Sequence, residues 1–228
     1  MANDREAVAG SLLAHLEPAD RAVLLSLGVR RSFPAGETLL RQGDPTDHVL
    51  LIVSGWVRVH ASTPNGHEVL IALRGPGDVV GDQAALHGWV RTASVRTLET
   101  VTAMQLRSEQ LAGCLRSRPS IAMGMLRQMS ERLREAEAAR MDFVALDVTK
   151  RVATYLVRLA GQHGIPDRAG VTLRMPLTQQ DIANHLGASR RTVARALAVL
   201  RERQIVTTFR RRIVILQPDV LSLFARSE

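Results

Sequence analysis

Residues 178–200 read Thr178-Gln-Gln-Asp-Ile-Ala-Asn-His-Leu-Gly-Ala-Ser-Arg-Arg-Thr-Val-Ala-Arg-Ala-Leu-Ala-Val-Leu200, and the rest of the chain is read outward from them. They predict two short helices joined by a tight turn. Thr178 is a candidate N-cap, because its hydroxyl can accept from the free amides of a first turn. Asp181, three residues on, adds negative charge where the helix dipole favours it. Ile182, Ala183 and Leu186 fall at helical spacing, and Gly187 ends the first helix, where a left-handed backbone is wanted. Ser189 is a second N-cap. Val193, Leu197 and Leu200 form the buried stripe of the second helix, and Arg190, Arg191, Thr192 and Arg195 lie opposite. This is a helix-turn-helix. An ordinary helix pair with a solvated face does not account for three arginines in the first two turns of the second helix. They oppose the dipole there, but they suit guanine edges and phosphates. The expected partner is double-stranded DNA, with Thr178, Gln180, Ser189, Arg190, Arg191, Thr192 and Arg195 as contact candidates.

The charge distribution points the same way. The chain has 228 residues and a net charge of +8. Residues 149–228 hold 14 Lys and Arg against 5 Asp and Glu, whereas residues 1–148 hold 16 against 17. Basic charge confined to the C-terminal third is the footprint of a nucleic-acid-binding module. A basic membrane-surface helix would need a large apolar face left free for lipid, and the apolar stripes here are needed for packing. Apolar residues make up 46% and aromatics 3%, so the core is aliphatic. The single Cys114 excludes an intrachain disulfide and a cysteine-ligated zinc finger, and reads as a small buried hydrophobe. Met1 to Gly10 is polar, without the apolar core of a signal peptide. No run approaches the ~20 apolar residues that span a bilayer. A cytoplasmic location is expected.

Upstream of the helix-turn-helix the texture changes twice. Residues 6–27 place Leu12, Leu13, Leu16, Val23, Leu24 and Leu27 at helical spacing, broken by Pro18. From about Val29 to Leu106, short β-rich runs recur at 49–53, 56–59, 69–73, 79–80, 92–95 and 101–104, punctuated by glycines. These predict a closed β-barrel, with Pro64-Asn65-Gly66 as a hairpin turn. Pro119 then starts a helix running to about Leu146. Its Ala122, Leu126, Met129, Leu133, Ala136, Arg140 and Phe143 step by 4 and 3 alternately, the period of a two-helix seam. The alternative is a helix packed on its own barrel. A seam of this length favours a parallel homodimer, which also supplies the two recognition helices of a palindromic site. A helix over 148–163 follows, then turns at Gly161, Gly164, Pro166 and Gly170 and a strand at 171–175. After the helix pair, 205–208 and 212–216 form a hairpin with its tip at Phe209-Arg210-Arg211. That hairpin is a wing, and Arg210, Arg211 and Arg212 are expected at phosphate or the minor groove.

Barrel, long helix and winged helix, in this order, resemble the Crp/Fnr family of bacterial transcription regulators over nearly the whole chain. The residues that carry the resemblance are Phe33-Pro-Ala-Gly36-Glu37, Gln42-Gly43-Asp44, Ser54-Gly55, Pro76-Gly77-Asp78, Gly81-Asp-Gln-Ala-Ala-Leu86, Arg91-Thr92-Ala93, Asp147 to Ala153, and Thr178 to Arg195. The resemblance implies an α+β fold. Residues 1–118 would be a cyclic-nucleotide-binding-like barrel (a double-stranded β-helix) with N-terminal helices, 119–147 a dimerisation helix, and 148–228 the winged helix-turn-helix. It further implies a small effector in the barrel, with cyclic AMP or cyclic GMP as the candidate. A cyclic phosphate is an anion held by one guanidinium and by backbone amides at a helix start. Carried onto this chain, Arg91 takes the phosphate, Thr92 supports it, Asp82 stands at the family's ribose-binding glutamate, and Gly81, Gln83 and Ala84 supply the turn.

Two positions depart from the family pattern. Asp82 is one methylene shorter than glutamate. On the long helix, where cyclic-AMP-binding members carry adjacent hydroxyl residues toward the base, this chain has Ala136 and Glu137. Alanine has no hydrogen-bonding side chain and glutamate only accepts. One cysteine excludes the cysteine-ligated iron–sulfur cluster of oxygen-sensing relatives. The seven histidines show no spacing of haem ligands.

The leading expectation is a dimeric, sequence-specific DNA-binding regulator switched by a small effector, with RNA polymerase as a further implied partner. Two alternatives stay open: a regulator of this family that binds DNA without a cyclic nucleotide, and a nucleotide-binding module acting through protein contacts. The charge in the C-terminal third weighs against the last. No paired carboxylates, Ser/His/Asp arrangement or metal-ligand spacing supports an enzyme.

Overall fold

The computed structural model describes residues 7–209 and 212–226. The chain divides into two compact units between residues 134 and 135.

In the first unit a short 3-10 turn at Leu13–His15 leads to α1 (Pro18–Leu27), with Pro18 in its first turn. The strands are β1 (Val29–Phe33), β2 (Thr38–Leu40), β3 (His48–Ser54), β4 (Val57–Ser62), β5 (Glu68–Arg74), β6 (Val79–Val80), β7 (Ser94–Thr97) and β8 (Val101–Arg107). α2 (Asp82–His87) interrupts them, and α3 (Ser108–Ser117) follows before α4 (Pro119–Ala145). The barrel is built as two antiparallel four-stranded sheets, in the orders β1-β8-β3-β6 and β2-β7-β4-β5. β3 explains its unbroken apolar run. Val49, Leu50, Leu51 and Ile52 are each at most 1% exposed, because both faces of the strand are covered. Leu50 and Ile52 share one core with Val57, Val80, Val95 and Val101. Val49 and Leu51 share the other with Leu12, Leu24, Leu106, Ile121 and Met125.

α4 meets the N-terminal turn at Gly124, where an added Cβ would lie 2.6 Å from Leu16 Cδ2. Its expected seam is corrected at one place. Met129 packs against the core of the first unit, while Leu126 and Leu133, 55% and 61% exposed, stay on the surface. The reason is angular. Ile121, Met125 and Gln128 already commit one face of the helix inward, and Met129 falls at its margin.

The second unit contains α5 (Val148–His163), β9 (Gly164–Asp167), β10 (Gly170–Leu173), α6 (Gln179–Leu186), α7 (Arg190–Glu202), β11 (Val206–Phe209), β12 (Arg212–Ile215) and α8 (Pro218–Arg226). Its sheet runs β11-β12-β10-β9. Gly164 and Pro166, expected in turns, belong to β9, and Gly161 stays inside α5. Pro166 is tolerated because β9 is an edge strand. α3 and α8 are elements that the hydrophobic pattern did not single out. Val152, Leu156, Leu159, Ile182, Val193, Leu197, Leu200 and Ile215 are buried together with Leu221 of α8.

Candidate effector pocket and nucleic-acid interface

The chain turns from β6 into α2 at Gly81, whose φ is +83°. A Cβ there would sit 2.8 Å from Arg91 Nη1 and from Leu40 Cδ1, so both the backbone and the space require glycine. Arg91 is 2% exposed. Its Nε donates to Thr46 Oγ1 at 2.6 Å and its Nη1 to the Gly81 carbonyl at 2.6 Å. Its Nη2 donates to the His48 carbonyl. Burial pushes the guanidinium below its ordinary pKa, and Asp47, Asp82 and Asp44 oppose that shift. Burial, and then the charge of Arg91, lower the pKa of His48.

Asp82 is buried at the start of α2. Its Oδ2 accepts from Arg132 Nη1 at 3.1 Å, and Arg132 Nη2 donates to the Val79 carbonyl at 2.7 Å. Beside this pair, Asp78 Oδ1 accepts from Gln128 Nε2 at 3.2 Å and Asp78 Oδ2 from the Gly75 amide at 3.0 Å. A buried polar cluster therefore joins α4 to the loop that carries Asp78 and Asp82. Arg132, Gln128 and Thr46 were not among the sequence candidates. The available signal was two polar residues, Gln128 and Arg132, continuing the inward stripe of Ile121 and Met125. Ala84 is buried beside Asp82, Gln83 and Thr92 are exposed, and Ala136 and Glu137 are exposed on α4 past the division between the units.

In the second unit both caps of the helix-turn-helix are formed. Thr178 Oγ1 accepts from the Asp181 amide at 3.1 Å, and Asp181 Oδ2 accepts from the Thr178 amide at 3.0 Å, which closes a capping box. Gly187 has a φ of +59° and ends α6 in the left-handed region. Ser189 Oγ accepts from the Thr192 amide at 3.1 Å, and the two hydroxyls lie 2.8 Å apart. Thr192 is thus drawn into the cap. Arg190, Arg191 and Arg195 are exposed, while Val193, Ala196, Leu197 and Leu200 are buried beneath them. Gln180 is exposed on α6, with its amide donating to Asn184 at 2.7 Å.

In the wing, β11 and β12 pair with Phe209 opposite Arg212. The Arg212 guanidinium lies 4.4 Å from the Phe209 ring centre, which holds it against an exposed aromatic face. Arg201 at the end of α7 donates to Thr208 Oγ1 at 3.1 Å and ties the wing to the recognition helix. Arg210 and Arg211 lie outside the described residues. Among the described residues, no group of three or more His, Cys, Asp or Glu is placed to hold a metal ion. No helix among them is long and apolar enough to cross a membrane.

Comparison with known proteins matches residues 30–118 to the cyclic nucleotide-binding domain and residues 150–224 to the Crp-like helix-turn-helix domain. The chain is 32% identical over 211 residues to the CRP-like cAMP-activated global transcriptional regulator of Mycobacterium tuberculosis, covering 92% of this chain and 94% of that protein. It is 32% identical over 193 residues to the global nitrogen regulator of Synechococcus elongatus, covering 83% of this chain and 86% of that one. Among solved structures, a CooA variant from Carboxydothermus hydrogenoformans shares the fold with a TM-score of 0.78 at 20% identity, over 98% of this chain and all of that one. With a barrel and a capped helix-turn-helix in this order, and relatives of this similarity along nearly its full length, the chain belongs to the Crp/Fnr family of effector-controlled, DNA-binding transcription regulators.

Proposed function

We propose that the chain acts as a cytoplasmic homodimer that binds a palindromic DNA site and is switched by a cyclic nucleotide in its barrel. The observation that carries the DNA half is α7. Its buried stripe is locked into the second unit, so Arg190, Arg191 and Arg195 are presented outward on a rigid helix. Arg212, braced on Phe209, adds a wing contact beside them. On this reading Thr178, Gln180, Ser189 and Thr192 touch the DNA backbone or base edges through groups left over from capping.

Dimerisation is read from the exposed stripe of α4. Met123, Leu126, Leu133 and Val144 are 52%, 55%, 61% and 80% exposed and fall at spacings of three, four or their sums. A stripe of this kind, with Arg140 and Glu137 between its apolar members, suits a parallel two-helix seam. RNA polymerase is the further partner expected of a regulator of this kind.

The effector half rests on Arg91, Gly81 and Asp82. A guanidinium has five N–H donors, and three protein acceptors hold Arg91 in place. The remaining donors suit a phosphate, with Gln83, Ala84 and Thr92 close in the chain. On this reading Asp82, paired with Arg132, would meet a ribose hydroxyl. Ala136 and Glu137 offer a base far less than a pair of hydroxyls would. The relative in Mycobacterium tuberculosis is by name cAMP-activated, and this supports cyclic AMP as the first effector to test. Calorimetric titration with cyclic AMP and cyclic GMP, followed by DNA binding with and without each, tests the reading. Saturable binding of one nucleotide that changes DNA affinity supports it. DNA binding indifferent to both would leave a regulator that needs neither.

A further inference from the structure

The second unit contains a cavity of about 430 Å³ that the DNA-binding reading does not use. Three helices wall it, each through residues three or four apart on a single face. Met141, Asp142 and Ala145 come from α4, Thr154, Val157 and Arg158 from α5, and Ser222, Ala225 and Arg226 from α8, with Leu146 just past the end of α4. The volume falls within the range of small-molecule sites, about 300–1,000 Å³.

The lining is mostly apolar and carries three charged side chains. Arg158 pairs with Asp142 of α4 across the cavity wall. Arg226, in the last turn of α8, adds a second guanidinium, so the lining carries two positive groups against one carboxylate. Thr154 Oγ1 is buried with no hydrogen-bond partner among the described residues. A buried hydroxyl left without a partner is costly.

The wall reaches the margin of the exposed stripe of α4. At about 3.6 residues per turn, Asp142 projects from the side of the helix roughly opposite Leu133, Arg140 and Val144, while Met141, also in the lining, falls in line with Met123 about five turns away.

We infer that this cavity is a second ligand site, for a small amphipathic monocarboxylate. Its carboxylate would meet Arg158 and Arg226, its apolar body would lie against Leu146, Val157 and Ala225, and a polar substituent could satisfy Thr154. The carboxylate competes with Asp142 for Arg158, so binding loosens the tie between α4 and α5. The site is separate from the barrel and does not depend on which effector the barrel takes.

The test is calorimetric titration of the full-length protein with sodium octanoate, 1-octanol and octylamine. The expected result is one saturable octanoate site per chain, with the alcohol and the amine at least about tenfold weaker, since only the anion makes charge-assisted bonds. Asp142→Asn should tighten octanoate binding by removing its competitor. Arg226→Gln, at an exposed position that does not threaten the fold, should weaken it about tenfold. Val157→Trp should fill the cavity and abolish binding, with an unchanged circular dichroism spectrum showing that the unit is folded. Equal binding of all three probes, binding indifferent to Asp142→Asn and Arg226→Gln, or no saturable binding would overturn the inference.

Discussion

Arg132 of α4 donates to Asp82 at the head of α2 across 3.1 Å, in a cluster where both side chains are largely buried. The acid that the sequence places at the ribose position is therefore already held by a base from the long helix. Removing either partner strands a charge in a poorly solvated site, whereas removing both does not. A double-mutant cycle with Asp82→Asn and Arg132→Gln should show a coupling of about 1–3 kcal/mol in urea unfolding of the first unit. Additive losses would mean that the pair is not formed in solution.

Arg91 is part of the fold as well as of the proposed effector pocket. Arg91→Gln should destabilise the barrel by about 3 kcal/mol, because the acceptors at Thr46, Gly81 and His48 lose charged donors. It should also abolish the nucleotide response, while basal DNA binding, carried by the other unit, is mostly kept. A variant of wild-type stability with an unchanged effector affinity would remove Arg91 from both roles.

DNA affinity should fall steeply with salt. Two copies each of Arg190, Arg195 and Arg212 face the DNA in the proposed dimer, and each phosphate neutralised contributes about −0.9 to the slope of log affinity against log salt. Fluorescence anisotropy between low and physiological salt measures it. A slope near zero would mean that these side chains do not face DNA.

Arg191 should set a base preference. It is exposed at the second position of α7, with Arg190 before it and Arg195 one turn on. Its donor fork suits the O6 and N7 acceptors of guanine and not the amino group of cytosine. Selection of sites from a random pool with wild type and Arg191→Glu should change one symmetric pair of positions, at about 1–3 kcal/mol per mismatched pair. A uniform loss of affinity on the same preferred site would instead assign Arg191 to a phosphate.

Cys114 should resist alkylation in the native protein. It is 6% exposed, and burial raises its thiol pKa, opposed by Arg118 and reinforced by Asp20. The thiolate is the reactive form, so iodoacetamide labelling should wait on unfolding and accelerate in urea. Labelling at the same rate with and without urea would contradict the burial.

The sequence by itself determined what depends on neighbours in the chain. The caps at Thr178 and Ser189, the left-handed Gly187 and the stripe of Val193, Leu197 and Leu200 are set within a few residues, and all are legible as a pattern. The recurring β runs and the long helix were legible for the same reason. Tertiary structure alone decided the partners that come from far along the chain. Thr46 reaches Arg91 across 45 residues and Arg132 reaches Asp82 across 50. No periodicity encodes a hydrogen bond between two elements that pack only once the whole barrel is formed. Met129 turned inward for a related reason: the 4 and 3 steps of α4 mark two adjacent stripes, and only the position of the barrel says which one it covers. α8 went unread because nine residues starting at Pro218 show too short a pattern to separate a helix from a loop, and its burial against α5 is what makes it one.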